Sequence, residues 1–369
     1  MPHLKKLRGL LLLPAVALLT GCNMVLMNPS GDIALQQRNL LVVSTLLMLL
    51  IIVPVIALTL LFAWRYRKSE ANKDAEYRPD WDHSTQLELV IWAAPLLIII
   101  ALGAITWIST HTLDPYRPLS RIDSARPISG EVEPLVVEVV ALDWKWLFLY
   151  PEQGIATVNE VAAPVDRPIL FKITASSVMN SFFIPALAGQ IYAMPGMETK
   201  LNAVINKPGE FEGFSANYSG AGFSGMRFKF HGLSEADFGK WVADAKAAKA
   251  ENAGNSGGEL SRTAYLELEK PSENAPVARY GTVAPGLYDA ILNRCVEAGK
   301  MCMKDMMAID TSGGLGKPGS FNITSKAGAD GKPDRTYVAA MCSVNDLPDA
   351  FSSTLSSIAI PPAPISRPQ

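Results

Sequence analysis

The sequence is poor in charged residues and in the side chains that most often bind metals. Asp, Glu, Lys and Arg make up 18% of its 369 residues, the formal net charge is −2, and there are only four His and four Cys. A protein that binds nucleic acid would need a clustered basic surface, so this composition argues against such a partner. Hydrophobic residues make up 49% of the chain, a balance that favours contact with a membrane.

The N-terminus has the pattern of a secretory signal peptide over residues 1–21. A basic segment precedes the apolar stretch Leu10–Leu19, which is too short to span a bilayer stably. The stretch ends in Leu-Thr-Gly before Cys22, and this resembles the lipobox of bacterial lipoproteins. We expect a lipid on the Cys22 thiol and cleavage before it. An ordinary cleavage site followed by a chance cysteine is the alternative.

Two longer apolar runs predict transmembrane helices at about residues 40–64 and 87–109. Each has about the 20 residues needed to cross the hydrocarbon core of a membrane. The short loop between them is basic and contains Arg65, Arg67, Lys68, Lys73 and Arg78. Short loops rich in Lys and Arg lie on the cytoplasmic side. Both ends of this hairpin, residues 22–112, are then periplasmic, in agreement with a lipid on Cys22.

From about residue 126 to residue 232 the sequence has short runs of β-branched and aromatic residues separated by turn-forming residues. Many short strands at this spacing predict an antiparallel β-sandwich or barrel. The predicted strands are Leu135–Val140, Trp144–Tyr150, Ile155–Val161, Ile169–Thr174, Phe182–Ile184, Thr199–Ile205, Glu210–Ser215 and Met226–Phe230. We expect Trp144 and Trp146 to face the same side of one strand and to serve packing.

The chain after the predicted sandwich divides into a helical extension and a tail. A capping box at Ser234 opens the extension, which covers residues 233–311. Residues 312–369 are rich in Gly, Lys, Asp and Pro, and we expect a loosely ordered, low-complexity tail there.

Several motifs, together with the two spans, resemble subunit II of the haem–copper oxidases. Near the start of the second span, Glu88 is followed by Trp92 and Pro95. In that family this Glu lies at the mouth of a proton-uptake channel into subunit I, and the resemblance implies this role for Glu88. A carboxylate that simply lies among lipid headgroups is the alternative. The run Tyr150–Glu160 is similar to the ubiquinol-oxidase branch, and Ser176–Pro185 is similar to the segment that carries the first copper-binding His in cytochrome c oxidases.

This chain retains the residue spacing of that family's copper-binding loop but has different side chains at the ligand positions. The cytochrome c-oxidising branch binds a dinuclear copper centre through one His on a strand and a Cys-x-Glu-x-Cys-x₃-His-x₂-Met loop, because soft thiolates and imidazoles suit copper. The matching positions here are Asn180, Ser215, Asn217, Ser219, Phe223 and Met226. Only the Met is retained, and serine hydroxyls cannot bridge two copper ions as thiolates do. We therefore expect no metal site in this chain.

The remaining His and Cys residues lie away from these positions. The four histidines are His3, His83, His111 and His231. His83 and His111 flank the second span, and His231 is predicted to be a surface or packing residue. In an oxidising periplasm Cys295 and Cys302 could form a disulfide, with Cys342 left over or paired instead.

The resemblance implies an α+β membrane protein in which a two-helix transmembrane hairpin carries a periplasmic cupredoxin-like β-sandwich. It also implies a subunit without a redox centre, in the bacterial inner membrane, with haems and copper in subunit I and with subunits III and IV as further partners. Such a complex oxidises ubiquinol, reduces dioxygen to water and moves protons outward. Two alternatives stay open: a copper-containing subunit II of a cytochrome c oxidase, and a free-standing cupredoxin-like lipoprotein.

Overall fold

A computed structural model describes most of the chain. The described residues are 24–67, 82–128, 130, 132–247 and 258–311. The predicted signal peptide with Cys22, and the predicted tail with Cys342, lie outside them. The chain forms two compact units, Met1–Pro285 and Gly286–Gln369.

Two long helices contain the predicted membrane spans. Helix α1 covers Asp32–Arg65 and helix α2 covers Thr85–Thr112. Both are long and apolar enough to cross a membrane, and no part of either apolar window is buried within the chain. The helices begin earlier than the predicted spans, because hydropathy marks only the apolar window whereas backbone hydrogen bonding continues through the polar residues that precede it.

The first helix starts against the sandwich. Gly31, just before α1, forms an isolated bridge with Ile205. Asp32 is buried and accepts two hydrogen bonds from Arg121, at 2.9 and 3.1 Å, and a third from Gln36 at 2.7 Å. Hydrogen bonds from a guanidinium are among the strongest that a carboxylate can accept. This cluster joins the start of α1 to the linker that follows α2.

The first unit also contains thirteen described strands. They are β1 (Leu135–Leu142), β2 (Lys145–Tyr150), β3 (Ile155–Val158), β4 (Glu160–Pro164), β5 (Pro168–Ala175), β6 (Asn180–Phe183), β7 (Ile191–Ala193), β8 (Thr199–Val204), β9 (Gly209–Ser215), β10 (Arg227–Leu233), β11 (Glu259–Leu260), β12 (Ala278–Tyr280) and β13 (Thr282–Val283). One sheet has the order β12-β3-β2-β1-β5-β8, and the other has the order β4-β10-β9-β6-β7. Strands β11 and β13 form a separate pair. The predicted sandwich is thus present.

Aromatic side chains fill the space between the two sheets. Trp146 and Phe148 alternate on β2, so both point into the core, where they are fully buried. From the opposite sheet, Phe182 and Phe228 stack with ring centroids 5.4 Å apart, and Trp146 meets Phe182 edge-on at 5.3 Å. Such pairs contribute about 0.5–1.5 kcal/mol each beyond their buried area. The core therefore fixes β2 and β6 against each other.

The predicted antiparallel sandwich contains two parallel strand pairs as well. Strand β1 pairs with β5 in parallel, and β4 pairs with β10 in parallel. Parallel neighbours arise here because the chain crosses between the sheets and returns in the same direction. Sequence periodicity shows which face of a strand is buried, but it carries no information about the direction of the neighbouring strand.

The predicted strand over Ile155–Val161 is divided into β3 and β4, which belong to different sheets. The division falls at Asn159, whose φ is +56°. Asn adopts this left-handed conformation more readily than most residues. Its side chain accepts a hydrogen bond from the Trp146 backbone N–H at 2.9 Å and donates one to the Ala275 carbonyl at 2.7 Å. These bonds hold the chain where it changes sheets.

The extension after the sandwich contains helices, as predicted, and short strands as well. It contains α3 (Glu235–Ala247) and α4 (Arg262–Glu269), but also strands β11, β12 and β13. These strands are two or three residues long, too short for a periodic pattern to reveal. The capping box is confirmed, since Ser234 Oγ accepts a hydrogen bond from the Asp237 backbone N–H at 3.1 Å.

The second unit contains two described helices and a disulfide. Helix α5 covers Leu287–Leu292 and helix α6 covers Met303–Thr311. Cys295 and Cys302 form the disulfide.

Candidate functional site

The first two copper-ligand positions meet at the ends of two neighbouring strands. Asn180 begins β6 and Ser215 ends β9, and the two strands pair. Ser215 Oγ donates a hydrogen bond to Asn180 Oδ1 at 3.1 Å, and Asn180 Nδ2 donates one to the Val178 carbonyl at 3.1 Å. Both side chains are buried, with 1% of Asn180 and 4% of Ser215 exposed. Their polar atoms are therefore engaged with protein partners.

The other four positions serve the conformation and packing of the loop after β9. The Asn217 side chain donates to the Met179 carbonyl at 3.4 Å and to the Tyr218 carbonyl at 3.3 Å. Phe223 meets Tyr218 edge-on, with ring centroids 5.7 Å apart. Met226 is buried in the core of the sandwich.

The indole ring of Trp144 packs against the loop after β9. The Nε1–H of Trp144 donates to the Ser219 carbonyl at 3.2 Å. A Cβ atom placed on Gly222 would lie 2.6 Å from Trp144 Cγ, and one on Gly220 would lie 2.9 Å from Trp144 Cζ2. Only glycine allows the loop to approach the ring this closely. The loop conformation thus depends on contacts with Trp144.

The predicted arrangement of the two tryptophans was wrong. Trp144 lies in the two-residue turn between β1 and β2, with φ at +66°, and not on a strand. Tight hairpin turns need positive φ, and alternation does not extend into them. Trp146 lies in the core, as packing alone would require, whereas Trp144 supports the loop.

These residues do not fit a dinuclear copper centre. The hydroxyl of Ser215 and the amide of Asn180 bond to each other, and both are harder donors than the thiolates and imidazoles that copper prefers. The single thioether, Met226, is packed in the core. Within the described ranges, no group of three or more His, Cys, Asp or Glu side chains could hold a metal ion.

The predicted proton-path residue, Glu88, lies in the first turn of α2. His83 Nδ1 is 2.7 Å from Glu88 Oε1, and His83 Nε2 is 3.2 Å from Thr85 Oγ1. The two side chains are open to their surroundings, 64% exposed for His83 and 49% for Glu88. From the sequence alone, His83 was predicted only to flank the second span. Its position five residues before Glu88, across a helix start, was the signal that such a contact is possible.

A buried ion pair joins the sandwich to the extension. Arg279 on β12 donates to both carboxylate oxygens of Glu160 on β4, each at 2.9 Å. His231 Nε2 lies 3.2 Å from Glu160 Oε1, but its N–H is not aimed along a hydrogen bond, so that contact is electrostatic. Burial raises the pKa of Glu160, but His231 and Arg279 outweigh it and hold the pKa below its usual value. The sequence gave no sign of this pair, whose members are 119 residues apart.

Two family models match the chain. Residues 135–231 match the model described as "Cytochrome C oxidase subunit II, periplasmic domain", and residues 255–299 match the "COX Aromatic Rich Motif". Among solved structures, the chain is similar to the periplasmic domain of subunit II of cytochrome oxidase of Bradyrhizobium japonicum. That similarity has 24% identity and a TM-score of 0.30, and it covers 31% of this chain and 94% of the other.

Curated relatives are closer. The chain is 51% identical over 289 residues to cytochrome bo(3) ubiquinol oxidase subunit 2 of Pseudomonas putida, which covers 78% of this chain and 86% of the relative. It is 54% identical over 288 residues to the protein of the same name from Pseudomonas aeruginosa, covering 78% and 81%. The chain belongs to the ubiquinol oxidase subunit 2 family. Its two long apolar helices and its subunit II periplasmic domain fit an inner-membrane protein.

In this member of the ubiquinol oxidase subunit 2 family, the buried ion pair connects the two matched regions. Glu160 lies in the subunit II periplasmic domain, and Arg279 lies in the aromatic-rich motif. The guanidinium of Arg279 also lies over the Trp241 ring, 5.6 Å from its centroid. Strand β12 of the motif is therefore held within the first unit by the ion pair with Glu160, the contact with the Trp241 ring on α3 and the pairing with β3.

Proposed function

We propose that this chain is the non-redox subunit 2 of a proton-pumping ubiquinol oxidase in the bacterial inner membrane. The hydrogen bond between Ser215 and Asn180 carries the proposal. Copper-binding members of the wider family need a thiolate and an imidazole at these two positions. Here an amide and a hydroxyl occupy them and bond to each other, so the site is built for packing and not for electron transfer.

The reaction needs no redox centre in this subunit. Cytochrome c delivers single electrons from the periplasm and needs a copper receiver, whereas a quinol within the membrane can reduce a haem in subunit I directly. Two ubiquinol molecules supply four electrons and release four protons, and dioxygen takes up four electrons and four protons to form two water molecules. Haems and copper belong to subunit I in this proposal.

The chain's own task is assembly and support. Helices α1 and α2 present apolar side chains that the chain itself leaves uncovered. Large exposed apolar surfaces mark contact with lipid or with a partner protein. We assign one side of this hairpin to subunit I and the rest to lipid or to subunits III and IV, with a lipid on Cys22 in the outer face.

Glu88 is the side chain in this chain to which we assign proton chemistry, at the start of the uptake path into subunit I. Its position in the first turn of α2 supports this role, because a carboxylate at a helix end can meet both water and the membrane interior. The contact with His83 gives it a titratable partner.

A tagged form of this chain, extracted from membranes with a mild detergent, tests the proposal. We expect it to co-purify with a haem-bearing subunit, and the complex to oxidise ubiquinol with uptake of dioxygen. Expressed without its partner, the chain is expected to bind no copper under metal analysis. Two copper ions on the isolated chain would instead identify a cytochrome c oxidase subunit. Absence of any haem-bearing partner would identify a free-standing lipoprotein.

A further inference from the structure

We infer that His83 collects protons from the cytoplasm and delivers them to Glu88. The inference rests on the proposed proton uptake at Glu88 and adds a second residue to it. Its basis is the 2.7 Å contact between His83 Nδ1 and Glu88 Oε1, in a pair of side chains that water can reach.

The local structure brings the two side chains together. His83 precedes α2 by two residues, and Glu88 lies in the first turn of that helix. The Glu88 backbone N–H donates to the Ser84 carbonyl at 2.9 Å, so the start of the helix is bonded to the segment that carries the imidazole. On the far side of the ring, Nε2 is 3.2 Å from Thr85 Oγ1. A donor Nε2–H toward Thr85 leaves Nδ1 as the nitrogen that exchanges a proton with Glu88.

The chemistry of the two side chain types explains why a carboxylate would need such a partner. A carboxyl group in water has a pKa of about 4.3, so near neutral pH it is almost always deprotonated. An imidazole titrates at about pH 6.5, and both of its forms are abundant near neutral pH. An imidazole beside the carboxylate therefore raises the frequency with which a proton is available at that point.

One transfer cycle balances in protons. The imidazolium of His83 donates its Nδ1 proton to Glu88 Oε1, which leaves a neutral imidazole and a neutral carboxyl group. Glu88 passes the proton inward and returns to the carboxylate form. His83 keeps its Nε2 proton and takes the next one at Nδ1 from the surrounding water.

Three other charged residues lie at this end of the two helices in the described part of the chain. They are Asp82, directly before His83, Arg65, which ends α1, and Arg67, two residues beyond that end. The Arg67 guanidinium lies 5.8 Å from the centroid of the Trp64 ring. Thus Asp82 is the acidic residue next to His83 in the chain, and the described basic residues follow the apolar part of α1.

The test uses the assembled complex with His83→Gln, which can still form a hydrogen bond but cannot carry a proton. We expect its ubiquinol oxidation to fall severalfold, with the loss growing from about pH 6 to about pH 8.5 as protons become scarce. The matched control is His111→Gln at the other end of α2, where the ring donates through Nδ1 to the Trp107 carbonyl at 2.8 Å and packs against the Trp107 ring. This control is expected to keep the parent rate. Haem content per complex reports assembly of each variant.

A second variant separates proton transfer from simple helix capping. In His83→Ala, added imidazole is expected to restore turnover, because a free base can occupy the space and carry protons. A parent rate in His83→Gln at every pH would overturn the inference. So would a loss that is independent of pH and is not restored by imidazole, since that pattern indicates a structural contact.

Glu88→Gln, measured in the same series, distinguishes a failure of the role inferred for His83 from a failure of the proposed proton uptake at Glu88. If Glu88→Gln keeps the parent rate, proton uptake at Glu88 is wrong and the role of His83 is overturned with it. If Glu88→Gln is slow while His83→Gln is not, uptake at Glu88 stands and only the role of His83 is overturned.

Discussion

The copper-ligand positions and the Glu88 pair are two polar sites with opposite character. Asn180 and Ser215 are buried, cannot titrate in the physiological range, and satisfy each other with a hydrogen bond. His83 and Glu88 are exposed, and both belong to residue types that gain and lose protons. One site has the position of a redox centre without its ligands, and the other is the site at which we propose proton transfer.

This difference shows what burial demands of polar side chains. A buried polar group costs free energy unless it has a hydrogen-bond partner, so a buried amide and hydroxyl are most stable when they bond to each other. Asn180 and Ser215 meet that requirement, and the glycines against Trp144 keep the loop close. An exposed pair can form hydrogen bonds with water. Its side chains can therefore be of types that gain and lose protons.

The largest effect is expected from restoring the copper ligands. The change is Asn180→His, Ser215→Cys, Asn217→Glu, Ser219→Cys and Phe223→His in one chain. Because the spacing to Met226 is retained, we expect two copper ions per chain and the absorption of a thiolate–copper centre, measured by metal analysis and spectroscopy.

A control variant with only Asn180→His and Phe223→His lacks the bridging thiolates and is expected to bind no dinuclear centre. If the five-fold variant folds and still binds no copper, the retained loop is not a ligand scaffold. The contrast between the two sites would then no longer hold for the copper-ligand positions.

A smaller effect is expected when a buried charge loses its partner. Replacing Arg279 by Met removes two hydrogen bonds to the Glu160 carboxylate and should lower the free energy of unfolding by about 1.5–3 kcal/mol. The matched control is Arg227→Met, which removes an exposed pair with Glu212 and should cost about 0–1 kcal/mol. Equal losses in urea unfolding would contradict the role given to burial.

The same pair predicts a dependence on pH. The pKa of Glu160 in the folded chain lies below its usual value. Its stabilising contribution is therefore complete above the usual pKa and is lost as the pH falls through the folded-state value. The difference between the parent chain and Arg279→Met should shrink in acid.

The smallest effect concerns a half-buried carboxyl group on β1, on the face of the strand opposite the core. Burial raises the pKa of Glu138 to about 7, with Lys172 lowering it and Glu198 raising it further. Because the folded-state pKa lies above the unfolded one, the parent chain should lose stability as the pH rises through this interval. We expect Glu138→Gln to remove that loss, measured as Tm between about pH 5 and about pH 8. Parallel curves for the two chains would show that near-neutral titration is absent from the sandwich.

The local features of the fold and of the site could be predicted from the sequence. Contacts between residues far apart in the chain could not. The loop from Ser215 to Met226 could be predicted because ligand spacing is written in consecutive residues. Most strand positions followed from alternation of apolar side chains. The parallel pairing of β1 with β5, and the contact of Arg279 with Glu160, depend on chain crossovers and on residues far apart. Local periodicity contains neither.

Single-residue conformations also escaped prediction. Asn159 changes sheets and Trp144 leaves its strand because each adopts positive φ. Both lie within runs whose composition is typical of a continuous strand. The pairing of His83 with Glu88 depends on the path of the chain into α2, which composition does not specify.

The position of β12 has a consequence for how the sandwich behaves among other copies of itself. An uncovered edge strand offers free backbone N–H and C=O groups to any passing chain and invites aggregation. Strand β3 would be such an edge strand, but Ala278–Tyr280 of β12 pair with it. The ion pair of Arg279 with Glu160 holds β12 in this position. The aromatic-rich segment thereby covers the edge of β3 and leaves a strand of only three residues as the outer edge of that sheet.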